Sequence, residues 1–163
     1  MVRDVSGEIE ALRMEMGCRC GCGKNLTESS FASKLFIAQG RYGRPFKISW
    51  GYRCSEVNRR IGGEEFSASL LGEHVDIDYG LPMELYGIVQ GLIAAEFEHI
   101  RIYTLSSAVD YGRKYAHVHV DGCVSRGGPY LETRDYDFGA RGVAEPKSYG
   151  GVCGRGDRRG RSG

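Results

Sequence analysis

The stretch SASLLGEHVDID, Ser67 to Asp78, decides how this chain is read. Gly72 ends an apolar turn, and beyond it polar and apolar residues alternate. Side chains of a strand point to opposite faces in turn, so His74, Asp76 and Asp78 share one face while Val75 and Ile77 share the other. An imidazole flanked by two carboxylates is a poor way to build a core face, and the pattern asks for chemistry there. The segment AHVHVD, Ala116 to Asp121, repeats it: His117, His119 and Asp121 face one way, Val118 and Val120 the other. Neutral imidazole together with carboxylate is the donor set of a catalytic zinc, which keeps one position open for water. A His-x-His pair by itself also suits a merely solvated strand face.

Working outward from these two strands, the rest of the chain predicts a mixed α+β domain, a small antiparallel sheet flanked by helices. A first segment carries a weak helical signal, and CRCGCGKN breaks it. In LTESSFASKLFIAQGRYG, Thr27 is placed to cap a helix whose Phe31, Leu35 and Ala38 recur at helical spacing. RPFKISW reads as a short strand ending at Gly51, and CSEVNRRIGG as a short helix closed by Gly62 and Gly63. LPMELYGIVQGLIAAEF has Pro82 where a first turn tolerates it, with Leu85, Ile88, Val89 and Leu92 as the buried stripe. HIRIYT and YAHVHVDG read as antiparallel partners joined through LSSAVDYGRK. From about residue 122 the composition turns Gly- and Arg-rich without a period, so the expected division is a domain over 1–122 and an extension over 123–163 that adds no core.

At 163 residues, 41% of them hydrophobic, the chain is long enough for one self-sufficient core. Its 22 Lys and Arg nearly balance 21 Asp and Glu, a net charge of +1, which argues against a nucleic-acid or anionic-membrane partner. No apolar run is long enough to span a bilayer, and MVRDVSGEIEALRMEM lacks the apolar core of a signal peptide, so the expectation is a soluble protein made in a cytoplasm. Six cysteines at 18, 20, 22, 54, 123 and 153 are then expected as reduced thiols.

GYRCSEVNRRIGG, then SASLLGEHVDI, then HVHVD, in this order, resemble the D-alanyl-D-alanine carboxypeptidase family of zinc peptidases, whose fold is shared with the hedgehog signalling domain. The shared pattern is a Gly-Tyr-Arg turn, an Asn, a Gly pair, a Ser-x-His-x-x-Gly-x-Ala-x-Asp segment and a terminal His-x-His. CRCGCGKN also resembles the cysteine-rich lead-in of many phage and bacterial members. The likeness spans roughly residues 15 to 122 and runs without a gap from Gly62 to Asp76. It implies that Asp76 and His119 are zinc ligands, on adjacent strands of one sheet. It also implies that His117 assists the attacking water or the tetrahedral intermediate, and that Arg53 receives the terminal carboxylate of a peptidoglycan stem peptide or another peptide terminus. A planar guanidinium suits that last task, because it grips a carboxylate through two parallel hydrogen bonds.

Two departures bear on the metal. Ser69 stands where the family has its first histidine ligand, and His74 stands where it has a small alanine; Trp50 also replaces the usual serine before the Gly-Tyr-Arg turn. A serine hydroxyl is a poor zinc ligand near neutral pH. Either His74, on the same strand face as Asp76, has taken over to give a set of His74, Asp76 and His119, or it fills the vacated space and the site is silent. Three function classes follow: a working cell-wall metallopeptidase, a silent descendant used as a structural part of a phage particle or other assembly with a partner for the tail, and a zinc-stabilised module that binds peptide termini through Arg53.

The remaining candidates are read more plainly. Cys18, Cys20 and Cys22 could join Cys54 around a structural metal, but C-x-C-x-C lacks the two-residue spacing of zinc knuckles, and free thiols are the default. Asp78 reads as a solvated strand end and His99 as a surface or core-edge residue without a partner. The Arg-Gly-Asp at 155–157 is what so Gly- and Arg-rich a composition produces by itself.

Overall fold

The computed structural model describes residues 5–63, 65–104, 116–122 and 130–134. Along these run α1 (Ser6–Glu15), α2 (Ser29–Tyr42), β1 (Lys47–Trp50), α3 (Ser55–Arg60), α4 (Ala68–Leu71), β2 (His74–Tyr79), α5 (Pro82–Ala94), β3 (His99–Tyr103), β4 (Ala116–Asp121) and β5 (Tyr130–Arg134). The strands form one sheet in the order β1-β2-β4-β3-β5. Its first four strands are antiparallel throughout, and β5 adds in parallel to β3 at the edge. This is the mixed α+β architecture expected, with the central pair β2 and β4 in the positions that the alternation asks for.

Register fixes which residues share a face. Asp76 lies opposite His119 and His74 opposite Asp121 across β2 and β4, while Arg101 lies opposite His119 and His99 opposite Asp121 across β3 and β4. The other face carries Val75, Ile77, Ile100, Val118 and Val120, all buried. The buried Phe31, Ala32, Leu35 and Ala38 of α2 and Ile88 and Leu92 of α5 join them in one core. Each such side chain removed from water is worth about 1.5–3 kcal/mol, so the helices are held to this face by burial and leave the opposite face to polar groups. Next to α2 packs α1, burying Leu12.

Helix ends follow local chemistry. Pro82 opens α5, and the Glu84 carboxylate reaches back to accept the backbone N–H groups of Gly80 at 2.8 Å and Leu81 at 3.2 Å, satisfying two donors at the helix start. Gly72 ends α4 in the left-handed region at φ 74°, and a side chain there would meet the backbone of Leu26 and Thr27. The turn it makes hands the chain straight into β2 with His74 on the polar face. Thr27 does not cap α2: Glu28 occupies that position in extended conformation with no side-chain bond. Thr27 is instead drawn into the interior, its N–H given to Asn25 Oδ1 at 2.9 Å while Asn25 Nδ2 bonds the Arg13 carbonyl at 2.7 Å, tying α2 to α1.

Much of 123–163, the Arg-Gly-Asp sequence, Cys123, Cys153 and the connection from 105 to 115 lie outside the described residues. The part of that stretch that is described, β5, pairs through its backbone and leaves Leu131 exposed. Among the described residues no helix is long and apolar enough to cross a membrane.

Candidate metal centre

All four histidines of the chain lie on the polar face of the sheet. At its centre His74, Asp76 and His119 bring one donor atom each within 4.8 Å of the others. His74 Nε2 and His119 Nδ1 both stand 2.9 Å from the same Asp76 oxygen, Oδ1. The two imidazole rings are 4.5 Å apart between centroids. His74 and Asp76 are sealed from solvent, whereas the His119 side chain keeps 18% of its exposure, so the cluster opens outward on the His119 side.

Behind each imidazole stands an oxygen that orients it. His74 Nδ1 lies 3.2 Å from the Gly51 carbonyl and 3.0 Å from Ser69 Oγ. His119 Nε2 lies 3.6 Å from Asp121 Oδ2, and Asp121 is itself held by His99 Nδ1 at 2.9 Å and Arg101 Nη1 at 3.7 Å. Ligating histidines characteristically turn their far nitrogen to a carbonyl or carboxylate, which fixes the tautomer and aims the near lone pair. His74 obeys that rule through the Gly51 carbonyl, and His119 turns its far nitrogen toward Asp121 at ion-pair distance. Of the two expectations for His99, a surface or a core-edge residue, burial fits the second, but the expected lack of a partner is corrected: Asp121 reaches it through the pairing of β3 with β4.

Charge states follow from burial and neighbours. Burial works against an ionised Asp76, but in the acid range where it would take up a proton the charge of His74 and the hydrogen bonds from His119 and His74 outweigh it and hold the carboxyl well below its usual range. Burial lowers the His74 pKa, with Asp76 opposing, so this ring is neutral near pH 7. For His119 burial lowers, yet the bonds to Asp121 and Asp76 win and the pKa rises. A neutral His74 has one ring proton for two polar neighbourhoods. With the proton on Nδ1, given to the Gly51 carbonyl, Nε2 presents a lone pair to a carboxylate at hydrogen-bond distance, an arrangement that a cation between them satisfies. With the proton on Nε2, given to Asp76, the Ser69 hydroxyl donates to Nδ1 and no metal is needed.

The donor set therefore fits a zinc ion on composition, convergence and backing oxygens: two imidazoles, one carboxylate and one side open to solvent. Ser69 is buried beside His74 instead of reaching the cluster, and the His74 ring takes up the space between Ser69 and Asp76.

The other residues singled out lie close by. His117, two residues before His119 on the same face of β4 and opposite Asp78, stacks on Tyr103 with ring centroids 4.6 Å apart. Arg53 follows β1 in the Gly51–Cys54 turn, its guanidinium 5.9 Å from the centre of the Trp50 ring and close enough for its charge to disfavour a protonated His74. Gly51, Asp121, His99 and Arg101 are the supporting residues that sequence reasoning left unassigned. For Asp121 the signal was present, since it shares the face of His117 and His119.

This constellation sits within a chain of the peptidase M15 class. The family model described as Peptidase M15 matches residues 8–121, and the chain belongs to that family of D-alanyl-D-alanine carboxypeptidase-type zinc peptidases. No curated protein and no solved structure matches it.

Proposed function

We propose that the protein is a zinc-dependent peptidase acting on the free C-terminal end of peptidoglycan stem peptides, with the metal held by His74, Asp76 and His119. The observation that carries this reading is the convergence of two imidazole nitrogens on one buried carboxylate oxygen, each ring backed by an acceptor. His74 replaces the loop histidine whose place Ser69 occupies. Zinc in such a set acidifies its water and polarises a scissile carbonyl. Arg53 receives the substrate's terminal carboxylate, with the Trp50 ring beside its guanidinium limiting where it swings. His117, stacked on Tyr103 and so restrained in ring orientation, carries the proton exchanged between the attacking water and the leaving amine.

A second reading is favoured by one contact. The Ser69 hydroxyl at 3.0 Å from His74 Nδ1 completes a metal-free network, as expected of a silent relative kept as a structural part of an assembly such as a phage particle; a zinc-stabilised module that only binds peptide termini would keep the metal. Zinc titration into the wild type, His74→Ala and Ser69→His separates them, each made in a Cys20→Ser/Cys22→Ser background so that thiols do not contribute. On our reading the wild type binds one zinc, His74→Ala loses at least about 100-fold in affinity, and Ser69→His changes little. Binding by Ser69→His alone, or by none of the three, would overturn it. Given binding, hydrolysis of a D-Ala-D-Ala-terminated peptide, abolished by C-terminal amidation, distinguishes the enzyme from the binding module.

A further inference from the structure

The Gly51–Cys54 segment, whose Gly51 carbonyl faces His74, also carries a member of a second group of donors. Cys18, Cys20, Cys22 and Cys54 bring their sulfurs within 4.8 Å of one another, and all four are free thiols. Cys18 and Cys20 sulfurs are 3.4 Å apart, and those of Cys20 and Cys54 3.8 Å. Four sulfurs around one zinc at about 2.3 Å lie about 3.8 Å from each other in a tetrahedron, so this spread is that of a thiolate cage.

The backbone is shaped for the same end. Gly21 and Gly23 take φ of 82° and 69°, conformations that L side chains avoid, with open space around both. Gly21 lets the chain bend between Cys20 and Cys22, and Gly23 lets it turn back after Cys22, so that the three side chains reach one point where an extended C-x-C-x-C would lay them in a flat row. The Cys18 N–H closes the loop on the Lys24 carbonyl at 3.0 Å. The Cys54 N–H points at Cys18 Sγ at 3.4 Å, the kind of bond that supports a ligating thiolate. Tyr52 N–H binds the Met16 carbonyl at 2.8 Å, holding the turn against the loop, and Cys18 and Trp50 pack on Tyr52, Cys54 and Val57.

We propose that Cys18, Cys20, Cys22 and Cys54 form a second, structural site that binds one zinc ion through four thiolates and clamps the Gly51–Cys54 turn, and with it Arg53, to the loop before α2. Four adjacent thiols do not ionise together unaided. A divalent soft cation removes that conflict and displaces the remaining protons. The site stands independently of the peptidase reading.

The test is cobalt and zinc binding by the full chain purified under reducing conditions. The expected result is a sulfur-to-cobalt charge-transfer band in both the wild type and His119→Ala, at one cobalt per chain in the latter. In the double variant Cys20→Ser/Cys22→Ser, which alters only exposed residues, the band is lost, and combined with His119→Ala it lowers zinc affinity at least about 100-fold below that of His119→Ala. Chelation lowers the melting temperature of His119→Ala but leaves that of the triple variant unchanged. A wild type without the thiolate band, an intact mass lower by the hydrogens of a disulfide, or a band that survives unaltered in the double variant would overturn the proposal. A wild type that shows no band while its His74, Asp76 and His119 site binds zinc would sink this inference alone.

Discussion

The two faces of one sheet are built from the same strands by opposite rules. On one side Val75, Ile77, Ile100, Val118 and Val120 meet α2 and α5, and any side chain of the right volume serves. On the other, His74, Asp76, His119, Asp121 and His99 form a single row of alternating imidazole and carboxylate, in which each residue is oriented by the next. The first face stabilises without regard to direction. The second spends stability on burying Asp76 and His74, and is retained only where the arrangement itself is useful.

The comparison breaks most heavily from the apolar side. Ile77 is fully buried between its neighbours on β1 and β4 and the helices, so Ile77→Ala should cost about 2–5 kcal/mol, a fall of roughly 5–15 °C in melting temperature. Zinc stoichiometry at the polar face should survive, because Asp76 and His119 keep their backbone register. Thermal unfolding with and without zinc measures both. A variant that keeps its stability but loses zinc would mean that the faces are not separable.

From the polar side the effect is conditional on metal. In the Cys20→Ser/Cys22→Ser background, zinc at about a thousand times its dissociation constant should stabilise the protein by about 4 kcal/mol. Asp76→Ala should abolish that increment, since it removes the oxygen on which both imidazoles converge. Scanning calorimetry across a zinc series checks it, and an undiminished increment in Asp76→Ala would place the metal elsewhere.

What could be read in the sequence follows the range of the interactions. Alternation in HVDID and HVHVD is a local signal, and it disclosed both central strands, the polar face and six of its residues, His74, Asp76, Asp78, His117, His119 and Asp121. Helical spacing did the same for Leu35, Ala38, Ile88 and Leu92. The partner of His99 was not legible, because Asp121 reaches it through the pairing of strands 22 positions apart. The gathering of Cys54 with Cys18, Cys20 and Cys22 was visible only as an alternative to free thiols, because it depends on the Tyr52 bond to Met16 and has no spacing rule of its own. The one-turn helix α4 is too short for a period, and β5 is an edge strand held by its backbone inside a composition that carries no strand signal. Thr27 had the chemistry of a cap but lost to Asn25, which joins α1 to the start of α2 and pulls Thr27 inward.

The smallest expected effect sharpens where the functional part of the polar face ends. Asp78 shares that face with Asp76, but it stands opposite His117 and Lys47 and is only half-buried, beyond the row that joins His74 to His99. A carboxylate with access to water has little to gain from its neighbours and little to lose with its charge. Asp78→Asn keeps the shape and removes the charge, so it should change stability by no more than about 0.5 kcal/mol and leave zinc affinity within about threefold. Denaturant unfolding and zinc titration of the same preparation measure the two quantities. A loss of affinity comparable to that of Asp76→Ala would show that the metal is shared between Asp76 and Asp78, with His117 as a ligand and not as the proton carrier, and the centre of the site would move one residue pair along the strands.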